Sequence, residues 1–186
     1  MLYAAKFQRR KRPDDLLRAA ARLSQEQLLF HLVLIGSGEM EDELRTLAKS
    51  LRIDNICFAG FVNQSALPQY YTASDLFVLP SEDEPWGLVI NEAMCAGLPI
   101  VASREIGCVP DLVHDGKNGR TFPAGDIEAL VGVLRRLLAD ERQRKRMGAA
   151  SRDIIRQWSY TECRAGLREA LASTARRAGA LHPATG

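Results

Sequence analysis

Short apolar runs of strand length alternate with segments of helical period along nearly the whole chain. The runs are Leu2 to Phe7, His31 to Ile35, Asn55 to Ala59, Leu76 to Leu79, Ile100 to Ser103 and Gly119 to Phe122. Their residues are near-continuously apolar instead of alternating, as strands covered on both faces require. Single helical segments separate them. Pro13 opens the first, at a position where proline is tolerated. Leu16, Leu17, Ala20 and Leu23 form its apolar face. Glu39 to Ser50 follows, with Leu44, Leu47 and Ala48 inward, then Ala66 to Ala73, then Leu88 to Ala96 closed by Gly97 and Pro99. Helices over Asp126 to Ala139, Glu141 to Trp158 and Thr161 to Arg177 complete the pattern. This order specifies an α/β fold with a doubly wound parallel sheet.

The 186 residues suit one domain, with residues 1–177 folded and 178–186 a fraying tail. A net charge of +2 is too small to indicate nucleic acid as a partner. Cys57, Cys95, Cys108 and Cys163 form no CxxC pair, so reduced thiols in a cytoplasmic protein are expected, with no bound metal. No run approaches the ~18 apolar residues of a membrane span. Met1 leads straight into a strand without the layout of a signal peptide, which marks the start as a truncation point.

In a doubly wound sheet, ligands bind at the carboxyl ends of the strands. Lys6 and the run Arg9-Arg10-Lys11-Arg12 follow the first strand, either neutralising a phosphate or forming a solvated basic turn. Gly36-Ser37-Gly38 follows the second, as a close backbone approach to a ligand or a plain tight turn. Gly60-Phe61-Val62 follows the third, where Phe61 and Val62 flank a flat base or close the core.

The fourth strand leads into Pro80-Ser81-Glu82-Asp83-Glu84-Pro85-Trp86-Gly87 and a helix carrying Glu92. Acids before a helix start can be electrostatic caps, which explains one acid better than three. Gly87 permits a sharp turn, and the amides of Gly87, Leu88 and Val89 then become free donors suited to a phosphate. Glu92 is either a carboxylate for sugar hydroxyls or an exposed helix residue. Arg104 to Asp111 after the fifth strand is a covering loop or a plain connection.

In this setting, EPWGLVINEAMCAGLPIVAS resembles the donor-binding C-terminal domain of the retaining GT-B glycosyltransferases of family 4, also called group 1. Glu84 and Glu92 match the E-x7-E motif of that family. GSGEMEDEL, FAGFV, SDLFVLPS and GCVPDLVHDGKNGRTF match its successive blocks, and the resemblance covers about residues 2–176. Lys6 stands where the family has arginine, and Arg12 where it has glycine after its lysine.

The resemblance implies one of the two Rossmann-like domains of a GT-B enzyme that transfers a sugar from a UDP-, GDP- or ADP-sugar with retention, in polysaccharide, glycolipid or related synthesis. It implies that Lys6 and Lys11 neutralise the diphosphate, with Gly87, Leu88 and Val89 adding amide donors. Glu84 would hold the transferred sugar, Glu92 the ribose, and Phe61, Val62 and Gly38 would border the nucleotide. No metal or further cofactor is implied. The acceptor, and any peripheral membrane association, belong to an N-terminal domain outside this chain. This chain alone is then a weak or inactive transferase that binds donor. A non-catalytic nucleotide-sugar-binding subunit uses the same residues. An epimerase would need acid and base groups, for which His31 and His114 are poorly placed.

Overall fold

The computed structural model of the chain describes residues 1–181. Strands β1 (Leu2–Ala4), β2 (Leu32–Ile35), β3 (Ile56–Gly60), β4 (Phe77–Leu79), β5 (Ile100–Ser103) and β6 (Gly119–Phe122) form one parallel sheet. Their spatial order is β3-β2-β1-β4-β5-β6. The chain therefore winds outward from β1 to one edge, returns to the centre, and winds outward again from β4. Parallel crossovers are right-handed, so this reversal carries the helix that follows β4 to the face opposite the one that follows β1.

The helices are α1 (Pro13–Gln25), α2 (Glu41–Ser50), α3 (Leu67–Thr72), α4 (Leu88–Cys95), α5 (Val109–Leu112), α6 (Ile127–Ala139), α7 (Glu141–Ile155) and α8 (Tyr160–Leu181). Helix α1 packs with α2 and α6, while α4 packs with α3 and α7. No helix among the described residues is long and apolar enough to cross a membrane.

Burial follows position in the sheet. Every residue of β1, β4 and β5 is buried, whereas the edge strand β3 is half-covered. The rings of Tyr3, Phe7, Phe77 and Phe122 are enclosed in the core. Each such burial stabilises the fold by about 1.5–3 kcal/mol. The expected face of α1, Leu16, Leu17, Ala20 and Leu23, is fully buried.

The differences from the sequence reading have local causes. Strand β1 ends at Ala4 and not at Phe7, because Gln8 N–H turns back to the Lys6 carbonyl at 3.0 Å. Phe7 remains buried there, so its hydrophobicity signals core and not strand. Helix α2 starts at Glu41, since Met40 N–H is drawn to the Phe7 carbonyl at 3.1 Å. The stretch after β5 contains the one-turn helix α5, with Pro110 in its first turn. Helix α7 ends at Ile155, short of Trp158. Helix α8 continues past Arg177 to Leu181, and the rest of the expected tail, residues 182–186, lies outside the described residues.

The glycine turn after β2 is packed against the end of β1. Gly36 has φ +145°, and a Cβ added there would lie 2.0 Å from the Ala5 carbonyl oxygen. Gly36→Ala is expected to lower the unfolding free energy by at least about 2 kcal/mol. Gly132 in α6 has nothing within 4 Å of an added Cβ. Gly132→Ala is expected to raise it by about 0.5–1 kcal/mol. Urea denaturation followed by tryptophan fluorescence checks both, and shifts of the same sign would contradict this packing.

Candidate functional site

The sheet order reverses between β1 and β4, so their loops leave the sheet side by side with a crevice above them. After β1 the chain forms a 3-10 turn over Arg9–Lys11. After β4 it runs through Ser81 to Gly87 into α4. The two loops are joined at successive residues. Glu82 N–H donates to the Arg10 carbonyl at 2.9 Å, and the Arg10 guanidinium donates to the Asp83 carbonyl at 2.9 Å. Lys11 Nζ forms an ion pair with Glu84 Oε2.

Lys11 is only 6% exposed. Burial, and then the nearby Arg10 charge, pull its amine down to about 8, while Asp83 opposes them. An amine poised there is still largely protonated at neutral pH.

Arg12 explains how the turn is held. Its backbone is left-handed, at φ 49° and ψ 45°, a conformation that favours glycine. Arginine stands here where the resemblance implies glycine, and its side chain is fully engaged. Arg12 Nε donates to Asp15 Oδ2 at 2.5 Å, and Arg12 Nη1 to Glu82 Oε2 at 2.6 Å. Asp15 is 3% exposed, so Arg12 compensates a carboxylate withdrawn from water. The same side chain thus ties the start of α1 to the β4 loop.

The β5 loop supports the other side. Glu84 and Ile106 form a parallel bridge, Gly107 N–H donates to the Glu84 carbonyl at 2.9 Å, and Cys108 N–H to the Trp86 carbonyl at 3.0 Å. A Cβ on Gly107 would lie 1.9 Å from the Pro85 carbonyl oxygen, so only glycine permits this contact. The Cys108 thiol is buried and pushed up to about 12, chiefly by desolvation, so it is an inert packing group. This segment is therefore scaffold for the glutamate loop.

Gly87 is the N-cap of α4, with φ 93° and no side-chain cap. The acids before it do not cap the helix: Glu82 pairs with Arg12 and Glu84 with Lys11. Ile90 N–H closes onto the Gly87 carbonyl at 2.8 Å. The amides of Leu88 and Val89 precede the first intrahelical bonds, as at any helix start. Leu88 itself is 68% exposed.

Glu92 lies farther along α4 and accepts a hydrogen bond from Tyr71 Oη at 2.8 Å. Lys6 follows β1 with its side chain exposed, and its carbonyl accepts from Tyr3 Oη at 3.2 Å. Phe61 stands out from the end of β3, 79% exposed, and Val62 is partly covered against the core. A Cβ on Gly38 would lie 2.5 Å from the Phe7 carbonyl oxygen, so this glycine has a packing reason of its own. The structure thus brings Lys11, Glu84 and Gly87 into direct contact or near it. Glu92 contacts Tyr71, while Lys6 and Phe61 make no side-chain hydrogen bond among the described residues.

Sequence reasoning missed Tyr71, Arg12 as a brace, and the supporting role of Gly107. The opposite charges of the two loops, Arg9 to Arg12 facing Glu82 to Glu84, were a usable signal for the brace. Nothing in the sequence near Tyr71 marked it.

The match to known proteins is extensive. Residues 1–154 match the family described as Glycosyl transferases group 1. The chain is 37% identical over 132 residues to a sulfoquinovosyl transferase of Arabidopsis thaliana, covering 69% of this chain and 25% of that protein. It is 38% identical over 160 residues to a D-inositol 3-phosphate glycosyltransferase of Thermobifida fusca, covering 81% of this chain and 37% of that protein. Its fold matches Anabaena HepE, solved in complex with UDP, at TM-score 0.81 and 25% identity, over 92% of this chain and 48% of that one. The chain thus spans less than half the length of each. Its order of strands, its glutamate loop and these likenesses agree: this chain belongs to the group 1 glycosyl transferases.

Proposed function

We propose that this chain is the donor-binding domain of a retaining glycosyltransferase that moves a sugar from a nucleoside diphosphate sugar to an acceptor in polysaccharide, glycolipid or related glycoconjugate synthesis. The observation that carries the reading is the buried Lys11–Glu84 pair at the crevice between β1 and β4. A cation sheltered from water there is matched to a polyanion. UDP in the crystal structure of the neighbour HepE supports a nucleotide in this fold.

On this reading, Lys11 neutralises the diphosphate, with Lys6 as a second, exposed cation. Charge builds on the leaving diphosphate as the glycosidic bond breaks, so a fixed ammonium stabilises the transition state more than the ground state. The amides of Gly87, Leu88 and Val89 add oriented donors at a helix start. Glu84 balances Lys11 in the structure. When phosphate takes over that role, Glu84 is released to accept hydroxyl protons from the transferred sugar. Glu92 accepts from the ribose, Phe61 and Val62 border the base, and Gly38 keeps the backbone clear beside it.

The acceptor lies on a further domain, in keeping with relatives more than twice as long in the aligned proteins. The free thiols Cys57, Cys95, Cys108 and Cys163 fit a reducing, cytoplasmic setting.

Calorimetric titration of residues 1–186 with UDP, GDP and ADP tests the reading. One of the three is expected to bind. Lys11→Ala should weaken it by roughly tenfold or more, since a charge-assisted contact contributes about 1.5–3 kcal/mol. Equal affinity in wild type and Lys11→Ala would contradict the assignment.

A pH series gives a second test. Burial, and then the Arg10 charge, bring the Lys11 amine down to about 8. Only its protonated form attracts the diphosphate, so affinity should fall roughly tenfold between pH 7 and pH 9.5. Lys11→Arg, charged throughout, should show little of this fall. A flat wild-type profile would mean that Lys11 does not contact the phosphates.

A further inference from the structure

Tyr71 belongs to α3 and lies outside every motif that marked the site. The residue is 3% exposed, and its ring rests against Phe77 of β4 with centroids 5.9 Å apart. Its hydroxyl reaches Glu92 Oε2 at 2.8 Å. Burial, and then the hydrogen bond to Glu92, push the phenol far above its ordinary range, so it stays protonated and remains a donor.

A phenol has one proton to give, and an ionised carboxylate only accepts. The bond therefore fills one side of Glu92 and fixes its rotation. Glu92 Oε1 has no protein partner among the described residues. Glu92 also lines an open groove between α3 and α4, beside Gln64, Leu67, Asn91 and Cys95. A free glutamate loses rotamer entropy when a ligand immobilises it. A glutamate already held by a buried phenol has met most of that cost before the ligand arrives.

We infer that Tyr71 is a positioning residue that locks Glu92 with one carboxylate oxygen turned to the donor's ribose hydroxyls, and so sets the preference for ribonucleotides. The inference rests on the proposed role of Glu92 as the ribose acceptor. Tyr71 also lines this groove, and its effect on the ribose runs through Glu92. A carboxylate fixed to accept a hydroxyl proton rejects a ribose that lacks the hydroxyl, because the desolvated oxygen is then left unpaired. A mobile carboxylate turns back to water and discriminates less.

The test is a double-mutant cycle on the full chain, read as the affinity ratio between UDP, GDP or ADP, whichever binds, and its 2′-deoxy and 3′-deoxy counterparts. Wild type should prefer the ribonucleotide over at least one deoxy form by roughly tenfold. Tyr71→Phe removes one oxygen and keeps the ring packed. It should narrow that preference by about fivefold, leaving affinity for the deoxy form within about twofold. Glu92→Gln should abolish the preference, and adding Tyr71→Phe to Glu92→Gln should change nothing more. A wild-type ratio in Tyr71→Phe overturns the inference, as does an additive loss in the double variant, which marks a merely structural role. If Tyr71→Phe unfolds, the cycle is run with Tyr71→Met, a flexible apolar side chain that fills most of the ring's space without a strong donor, and the same ratios decide. If wild type binds the nucleotide without any ribose preference, the assignment of Glu92 itself falls, and the inference with it.

Discussion

A lysine ammonium and a glutamate carboxylate, both largely withdrawn from water, meet above the line where the winding of the sheet reverses. Charges in such a place are tolerated only when paired. Removing either partner would strand the other, so the loops after β1 and β4 must converge for this fold to hold its charge. The pair is not left to hold itself. Arg10 links the loops through its own carbonyl and through its guanidinium on the Asp83 carbonyl, and Arg12 spans Asp15 and Glu82. On the far side, Ile106 and Gly107 pin the glutamate loop from β5. Three strand ends thus fix one ion pair.

Such an arrangement has a chemical consequence. Two opposite charges locked in a crevice form a site already desolvated and oriented before any ligand arrives. A ligand with both anionic and hydroxyl groups can take over each partner in turn: phosphate for Glu84 at Lys11, hydroxyl for Lys11 at Glu84. A simple anion satisfies only the lysine and leaves the glutamate repelled. On the proposed reading, the ligand is a molecule in which phosphate and polyol are joined, as in a nucleoside diphosphate sugar. Preorganisation of this kind acts most strongly on the charge that develops during bond breaking.

Much of this was legible in the sequence because local patterns carry it. Ile100 to Ser103 and Gly119 to Phe122 were placed to the residue, since turns bound each buried run. The glutamate loop was legible because a buried strand, a loop carrying Glu84 and Gly87, and a helix carrying Glu92 follow one another in that order. What stayed hidden depended on contacts between distant segments. Phe7 looked like strand because burial and strand share one hydrophobic signal, and only the Ser37 and Met40 contacts show that it fills a turn. Acids that looked like helix caps were drawn off to Arg12 and Lys11, a competition the linear sequence does not display. Arg12 looked like a departure from a glycine position. Its left-handed backbone is one that glycine adopts freely, and its ion pairs show how arginine is accommodated. Tyr71 gave no sign, because a tyrosine in a short helix is ordinary until its hydroxyl is seen on Glu92.

The central claim is that the ligand enters between the loops of β1 and β4. Residue-resolved amide shifts on titration of the isotope-labelled chain with UDP, GDP and ADP test it most directly. The account predicts that the largest changes occur together at Lys11, Glu84, Gly87, Leu88 and Val89, with smaller ones at Glu92 and Val62. Changes confined to another surface, such as the groove of Arg45, Lys49 and Phe58 at the β3 edge, with the β1 and β4 loops unmoved, would contradict it.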